Sequence, residues 1–456
     1  MVLLLILFLL LSAYEYRRQL VEKKSKKTDN KNYSESILQK RIKRFKSIKR
    51  GYYSLIGLVL FYILSLIAPL WINAKPLMVQ YKNGKYDAGE IFIDENENGI
   101  WDTNEQFEDN YEAFYPAFWE LIDFIPGVTS PIYEAEYFNQ DTGNFEVDFK
   151  LLAKTCEAEN NGNYVIMPIY PYHPHEDLKD ELDEEYIDQN QNGKYDLGEP
   201  FTDENTHFFG GKNGVWDKNN PPTPATGFDG RHIFGTDTTG RDVFARIVDG
   251  FKVSITFAII CTFLSYSLGI MIGATLGYFG RWIDLFGVRI MEIFSSLPFL
   301  FIIMILSGFM QPNIYILAAI LVFLSGWIGI SYFVRGEFYR EKAKDYVSAA
   351  VSMGASNRRV MFKHILPNAL TPIITFGPFA IIGYIGTLNM LDLLGYGLQP
   401  PAASWGEILK QALENLDNWW LLLFPVIAMT VTLFMITFIG EAIREAFDPK
   451  VYSRLR

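Results

Sequence analysis

Two twelve-residue stretches of the chain carry oxygen ligands at the spacing a hard cation needs. Asp94, Asn96, Asn98, Ile100, Asp102 and Glu105 fill positions 1, 3, 5, 7, 9 and 12 of DENENGIWDTNE. Asp188, Asn190, Asn192, Lys194, Asp196 and Glu199 fill the same positions of DQNQNGKYDLGE. In such a loop the side chains and the backbone carbonyl at position 7 wrap a calcium ion, position 9 often through water, and Gly at position 6 permits the sharp turn. The loops lie in an internal repeat, because NGKYDAGEIFIDENENGIWD from Asn83 recurs as NGKYDLGEPFTDENTHFFGGKNGVWD from Asn192 with an insertion. The outer half-copies at Asn83-Gly84 and Asn213-Gly214 lack the leading Asp. A second reading takes each Asn-Gly as a tight turn between short strands, with the acids simply solvated. Ca2+ in the two complete loops is the expectation, in a structural role, since no flanking helix pair is evident.

Other chemistry is not legible. GGKNG, Gly210 to Gly214, is the nearest string to a phosphate-cradling Gly-x4-Gly-Lys-Ser/Thr loop, and it lacks the Ser/Thr. No His-Glu-x2-His occurs, and His173 and His175 in YVIMPIYPYHPHEDL read as part of an irregular, partly packed loop. Cys156 and Cys261 offer neither a disulfide framework nor a metal spacing. The chain is not expected to be an enzyme, nor to bind nucleic acid.

The elements that would carry these loops are membrane spans. Uncharged runs cover 51–74, 253–280, 293–334, 364–391 and 418–440. A span needs about 20 apolar residues. Gln311-Pro312-Asn313 divides the longest run, so six spans are expected, near 52–73, 253–279, 290–310, 314–334, 368–391 and 419–440. Residues 74–230 hold 33 Asp and Glu against nine Lys and Arg, a balance of −24 in a chain of net charge −11, so the remainder carries +13. Residues 14–50 contain 14 Lys and Arg and four acids, which places the N-terminal segment in the cytoplasm and the acidic segment outside. The basic islands at 281–289 and 335–363 then fall inside with the tail EAIREAFDPKVYSRLR. Residues 2–13 form an apolar run too short to cross comfortably, and their pattern does not fit a signal peptide. An extra short span and an interfacial anchor both remain open for them.

The island YVSAAVSMGASNRRVMFKHILPNAL has an internal logic. Lys342 to Met353 is predicted helical, with Ala349 and Ala350 as a flat patch. Gly354 supplies a left-handed stop, and Ser356 caps a second helix, SNRRVMFKHIL, that ends before Pro367. Arg358, Arg359 and Lys363 are expected on its exposed face. On architecture alone this is either a basic loop satisfying the inside rule or a surface shaped for a partner.

The spacing Ala-Ala-x3-Gly-x9-His-Ile-Leu-Pro (Ala349, Ala350, Gly354, His364, Ile365, Leu366, Pro367) resembles the coupling-loop signature of ABC-importer permeases, with Ser348 where a Glu is frequent. HIFGTDTTGRDVFARIVDG is similar to the segment that opens the membrane domain of the peptide class, through Gly235, Thr236, Asp237, Gly240, Arg241, Asp242, Arg246 and Gly250. LLGYGLQPPAASWGEIL is similar to the outward loop of that class, through Gly395, Gly397, Pro400, Trp405 and Gly406, with Ala403 where Pro is common. WINAKPLMVQY and FIGEAIREAFDPK fit one permease subunit of the microcin C and oligopeptide importers.

The resemblance implies an all-α polytopic fold of six transmembrane helices. Residues 1–50 would be the apolar run and basic cytoplasmic segment, 51–73 the first span, and 74–231 a large irregular, β-turn-rich extracytoplasmic insertion. Residues 232–447 would be the permease domain, with its coupling loop at about 342–367, and 448–456 a cytoplasmic tail. It further implies two separate ATP-binding subunits that hydrolyse ATP, a homologous second permease, an extracytoplasmic substrate-binding protein, a peptide substrate, and the inner membrane of a bacterium. Small residues Gly269, Gly273, Ala274 and Gly277 would pack the second span closely, and Pro372 and Pro378 would kink the fifth. Asp392 stands at a span edge, as a snorkelling acid or one on the translocation path. A secondary transporter, an intramembrane hydrolase and an anchored calcium-binding adhesion protein each leave one of these features without a role.

Overall fold

Charge-free runs fold into long helices, some broken at a proline and others running through one. The computed structural model describes residues 37–85, 107, 109–122, 130–140, 146–159, 162–176, 200, 225, 227, 232–310, 312–399 and 402–447. Both calcium-pattern loops, Pro400, residues 2–13 and the tail 448–456 lie outside the described residues.

The chain forms two units, 1–62 with 250–456, and 63–249. In order along the chain, α1 is Ile37–Ser47, α2 Lys49–Leu66, β1 Met78–Tyr81, β2 Glu112–Phe114, α3 Pro116–Ile122, α4 Phe149–Glu159 and β3 Tyr164–Ile166. There follow α5 Val243–Phe279, α6 Arg281–Ser296, α7 Phe299–Phe309, α8 Ile314–Leu321, a π-turn Val322–Gly326 and α9 Ile328–Lys342. Then come α10 Asp345–Ser352, α11 Asn357–Arg359, a second π-turn Val360–Ile365, α12 Leu366–Leu393, α13 Trp405–Glu414 and α14 Trp419–Phe447.

Among the described residues three stretches are long and apolar enough to cross a bilayer, α5, Ile373–Leu393 within α12, and α14. The number reaches five if the bent pairs α6–α7 and α8–α9 each count as one span. The 66° bend of the first pair falls at Leu297-Pro298. There Leu297 is extended (φ −70°, ψ 131°), as a residue before proline prefers. The predicted first span, 52–73, overlaps α2 at 49–66, which is not among these candidates, and a short 3₁₀ turn with Pro69 in the middle, Ala68–Leu70, follows it. α12 runs as one helix through Pro372 and Pro378, not as two pieces.

Three clusters make up most of the core of the larger unit among the described residues. Leu58, Phe251, Ile255, Ile381, Ile385, Trp405 and Ile436 join α2, α5, α12, α13 and α14. Phe257, Cys261, Ile303, Leu317, Leu321, Leu388 and Leu391 join α5, α7, α8 and α12. Tyr278, Val334, Phe338, Val347, Val360, Ile365 and Ile373 seat the 343–365 loop on α5, α9 and α12. The glycines of α5 do what small residues in membrane helices do. A Cβ on Gly277 would lie 2.6 Å from Phe338 Cβ and 2.7 Å from the Arg335 carbonyl, so α5 and α9 touch at backbone distance.

Among its described residues the smaller unit holds a three-stranded sheet. β1 pairs antiparallel with both β2 and β3, in the order β2-β1-β3. Val79 and Tyr81 point from β1 into a core of Phe138, Phe149, Leu152 and Cys156. Phe114 sits edge-on to Tyr133, Tyr137 and Phe138 at 5.5–5.9 Å, a geometry the ring quadrupoles favour. Both cysteines are free and buried.

Candidate functional site

The loop between α9 and α12 is built by backbone chemistry at one glycine. Gly354 has φ +79°. Its N–H donates to the Val351 carbonyl at 2.9 Å, and the Ala355 N–H donates to the Ala350 carbonyl at 3.1 Å. These are the paired bonds of a left-handed helix stop, and they satisfy carbonyls that α10 would leave open. The turn presents Met353, 81% exposed, beside exposed Val351, Phe362, Arg358, Arg359 and Lys363.

Three details differ from the sequence expectation. Ala350 turns inward (3% exposed) while Ala349 faces out, so the two do not form one patch. Ser356 takes the extended N-cap backbone and its carbonyl accepts from Val360 N–H, but its hydroxyl makes no capping bond. The second helix does not stop before Pro367. The π-turn Val360–Ile365 runs directly into α12, where Pro367 sits at the first turn and its missing N–H is tolerated. His364 is partly exposed and its carbonyl accepts from Asn368.

Residues that pattern reading did not single out hold the loop in place. Glu341, 2% exposed, receives Lys344 Nζ at 2.7 Å and the Tyr346 hydroxyl at 2.9 Å. Asn368 of α12 donates to that hydroxyl at 3.2 Å. Tyr278, at the end of α5, donates to Asn357 Oδ1 at 2.9 Å. Arg335 of α9 forms a forked pair with Asp284 of α6, one arm at 2.6 Å. A Glu at the charged end of α9 followed by Lys and Tyr at i+3 and i+5 was the available signal.

At the other end of α12, Gly395 (φ +80°) repeats the same stop, with Tyr396 N–H on the Leu391 carbonyl and Gly395 N–H on that of Asp392. Asp392 is 3% exposed and its Oδ1 accepts from Leu398 N–H at 2.7 Å, so it braces the turn and neither snorkels nor lies open. Gly397 and Gly406 pack against it, and a Cβ on Gly406 would lie 2.6 Å from both Asn389 O and Asp392 Cβ. Ser404 caps α13 by accepting from Glu407 N–H. Trp405, 1% exposed, lies flat enough on Gly250 that a Cβ there would meet Trp405 Cδ1 at 2.8 Å.

In the smaller unit, the segment before α5 is a charged knot. Asp237 Oδ1 accepts from Thr239 N–H (2.8 Å), Thr239 Oγ1 (2.7 Å) and Arg241 N–H (2.9 Å). Its Oδ2 accepts from Arg241 Nε (3.0 Å) and from the fully buried Arg246. Burial works against the charged carboxylate, yet Arg246 and Arg241 outweigh it and hold Asp237 below the usual range. Gly235 (φ +77°) and Gly240 (φ +82°) supply the turns that close the knot, and Thr236 pairs with Asp242. Asp242 caps α5 through Ala245 N–H at 2.8 Å and accepts the Tyr170 hydroxyl at 2.5 Å beside His232 Nδ1 at 2.9 Å.

His173 and His175 find carboxylates, not a metal geometry. His173 Nε2 lies 2.8 Å from Glu120 Oε1, and His175 Nε2 lies 3.8 Å from Asp249 Oδ2. Among the described residues no cluster of three His, Cys, Asp or Glu is placed to hold a metal ion. Burial raises the Glu120 carboxyl, but the His173 bond and charge, Asn73 and Lys75 carry it down to about 2. A carboxylate depressed in the folded state stabilises above its ordinary value of 4.5 and loses that contribution as pH falls toward 2. Hydrogen exchange across residues 73–81 of the full chain is therefore expected to lose protection between those two pH values, and Glu120→Gln to flatten the loss. Parallel curves for the two chains would contradict the assignment.

Long apolar helices with broken and bent members and glycine-mediated contacts make a mostly helical, multi-pass membrane protein. Residues 269–453 match the family described as binding-protein-dependent transport system inner membrane component, and the chain belongs to it. It is 42% identical over 216 residues to the peptidoglycan transport system permease protein YejE of Agrobacterium fabrum, covering 47% of this chain and 56% of that protein. It is 43% identical over 215 residues to the inner membrane ABC transporter permease protein YejE of Escherichia coli, covering 47% and 63%. The oligopeptide transport system permease protein OppC of Haemophilus influenzae is 34% identical over 252 residues, covering 55% of this chain and 77% of its own length. The chain thus spans less than two thirds of the first two relatives.

Proposed function

We propose that this chain is a membrane subunit of an ATP-driven importer of oligopeptides or peptide-like compounds. The observation that carries the reading is the Gly354 turn, an apolar tip with a basic rim, held between α9 and α12 by Glu341, Tyr346 and Asn368. A surface so braced passes a push on Met353 into two helices at once. ATP hydrolysis belongs to two separate ATP-binding subunits that receive this loop. A homologous second permease completes the path, and an extracytoplasmic binding protein delivers the substrate. The relatives named for peptidoglycan and oligopeptide transport support a peptide-like cargo.

In this reading α2 is a first span, giving six with both permease termini inside. Its 18 residues rise about 27 Å, close to a hydrocarbon core of about 30 Å. The acidic segment lies outside, where calcium in the loops from Asp94 and Asp188 would relieve its self-repulsion. Adding calcium to the purified chain is expected to raise its melting temperature, and Asp94→Ala with Asp188→Ala to abolish the rise. A parent chain indifferent to calcium rules the metal out.

The test of the function is co-purification. The tagged chain in mild detergent is expected to bring a second permease and one or two P-loop ATPases. An isolated homodimer whose transport follows an ion gradient overturns the reading.

A further inference from the structure

One hydroxyl ties three helices of the larger unit. Tyr384 of α12 lies 2.5 Å from Ser265 Oγ of α5 and donates to the Gly326 carbonyl at 3.4 Å, so Ser265 is the donor of the first bond. Gly326 closes the π-turn between α8 and α9, and the chain bends by 49° there. A Cβ on Gly326 would lie 2.6 Å from Ser265 Oγ and 2.8 Å from Tyr384 Oη, so only glycine admits the hydroxyl pair. A π-turn widens the helix and disturbs its regular carbonyl pairing, and such turns recur at functional sites.

The position of this contact gives it mechanical meaning. α9 leaves Gly326 and reaches the loop at Lys342, a rise of about 24 Å, and α12 returns from Leu366 to Tyr384, about 27 Å. The two helices that flank the loop therefore meet again at one polar point, at nearly equal arm lengths. Phe333 and Phe376 pack edge-on between them at 4.9 Å. α9 is fixed sideways to α5 through Gly269, Gly273 and Gly277, each at backbone distance. Motion imposed on the loop is thus left to the α9–α12 angle, and its polar anchor is Tyr384.

We propose that Tyr384 is a positioning residue for transport: with Ser265 and Gly326 it forms the pivot about which α9 and α12 turn when the loop is pushed. This rests on the permease reading above. Losing the hydroxyl leaves the apolar packing of Tyr384 in place but frees the π-turn, so the loop still engages its ATPase while the helices no longer move as a pair. Hydrolysis and transport should separate.

The experiment uses the whole complex that co-purifies with the chain, in proteoliposomes, with a radiolabelled oligopeptide mixture as probe and phosphate release as the second readout. Tyr384→Phe is expected to lower peptide moved per ATP by about fivefold, the effect of one buried hydrogen bond, with hydrolysis held within about twofold. Gly326→Ala reaches the same contact from the other side and should give the same split. Equal peptide per ATP in parent and Tyr384→Phe overturns the pivot alone, as does a parallel fall of both readouts with less folded complex in both variants. A parent complex without ATP-dependent uptake overturns the permease reading, and the pivot with it.

Discussion

Replacing Gly354 with Asp is expected to reduce ATP-driven uptake at least tenfold while the chain still reaches the membrane. The direct cost to the fold is small. No atom lies within 4 Å of where a Cβ would stand, so the substitution meets open space. What remains is the left-handed backbone at φ +79°, which costs an ordinary residue roughly 1–2 kcal/mol and Asp somewhat less. A domain holding about 5–15 kcal/mol of stability survives that. The functional cost is larger because the acid lands beside Met353 and alters the basic rim at Arg358 and Arg359, on the surface offered to a partner. A rim charge of the wrong sign acts on association.

Gly354→Ala separates the two effects, since it imposes the backbone strain with no charge. It should keep most of the uptake and shift the melting temperature about as much as Asp does. Binding of the co-purifying ATPase, measured by pull-down from detergent, should fall for Asp and hold for Ala. If both variants bind and transport like the parent, Gly354 is only a turn and the loop is not the coupling surface.

Much of this architecture was legible because its signals are local. Gly354 and Gly395 stop helices wherever a left-handed residue is needed, and that need is written in two or three residues. Pro298 and Pro69 act by an equally short-range rule, yet the spans expected at 290–310 and 52–73 ran through them. The π-turns were not legible. Nothing in VFLSG or VMFKHI distinguishes a five-residue turn from an α-turn, because the difference is decided by what the freed carbonyls meet, here Tyr384, 58 residues beyond Gly326. The run-through at Pro367 follows from the same cause, since the widened turn before it leaves room for a ring that would otherwise clash with the preceding turn.

The site divides along the same line. The loop's basic rim and its glycine stop follow from sequence spacing, but its Met353 tip and its braces do not. Glu341 was hidden in a basic stretch whose charge sum says cytoplasm and whose individual acid says nothing until Tyr346 and Lys344 fold back on it. Asp392 carried two readings, both of which assumed an acid must find water or substrate. Its actual partner is the Leu398 N–H of a turn six residues on. The smaller unit was the least legible, because residues 74–230 read as charge, and their ordered core is made by a few aromatic and aliphatic side chains drawn from five short segments.

The largest stability effect is expected at Asp237. Five donors converge on its carboxylate, among them Arg241 and the fully buried Arg246. Asp237→Ala removes the counter-charge of a buried guanidinium, and breaking such a pair from one side typically costs 3–5 kcal/mol. Against a total of about 5–15 kcal/mol that loss removes a third or more of the stability of a typical domain. Little chain should then survive size-exclusion of a detergent extract or limited trypsin. Asp237→Asn keeps an acceptor for Arg241 N–H but gives up the charge, so it should fall between. The decisive comparison is Asp237→Ala combined with Arg241→Met and Arg246→Met, which removes the carboxylate and both guanidinium groups that it faces. Deleting buried partners together is often close to neutral, so the triple variant should recover much of the folded chain that the single variant loses. Recovery would assign the knot to structure, as the cap that fixes the start of α5. No recovery would mean that Arg241 or Arg246 serves a contact of its own, and the stabilising role argued for Asp237 would fail.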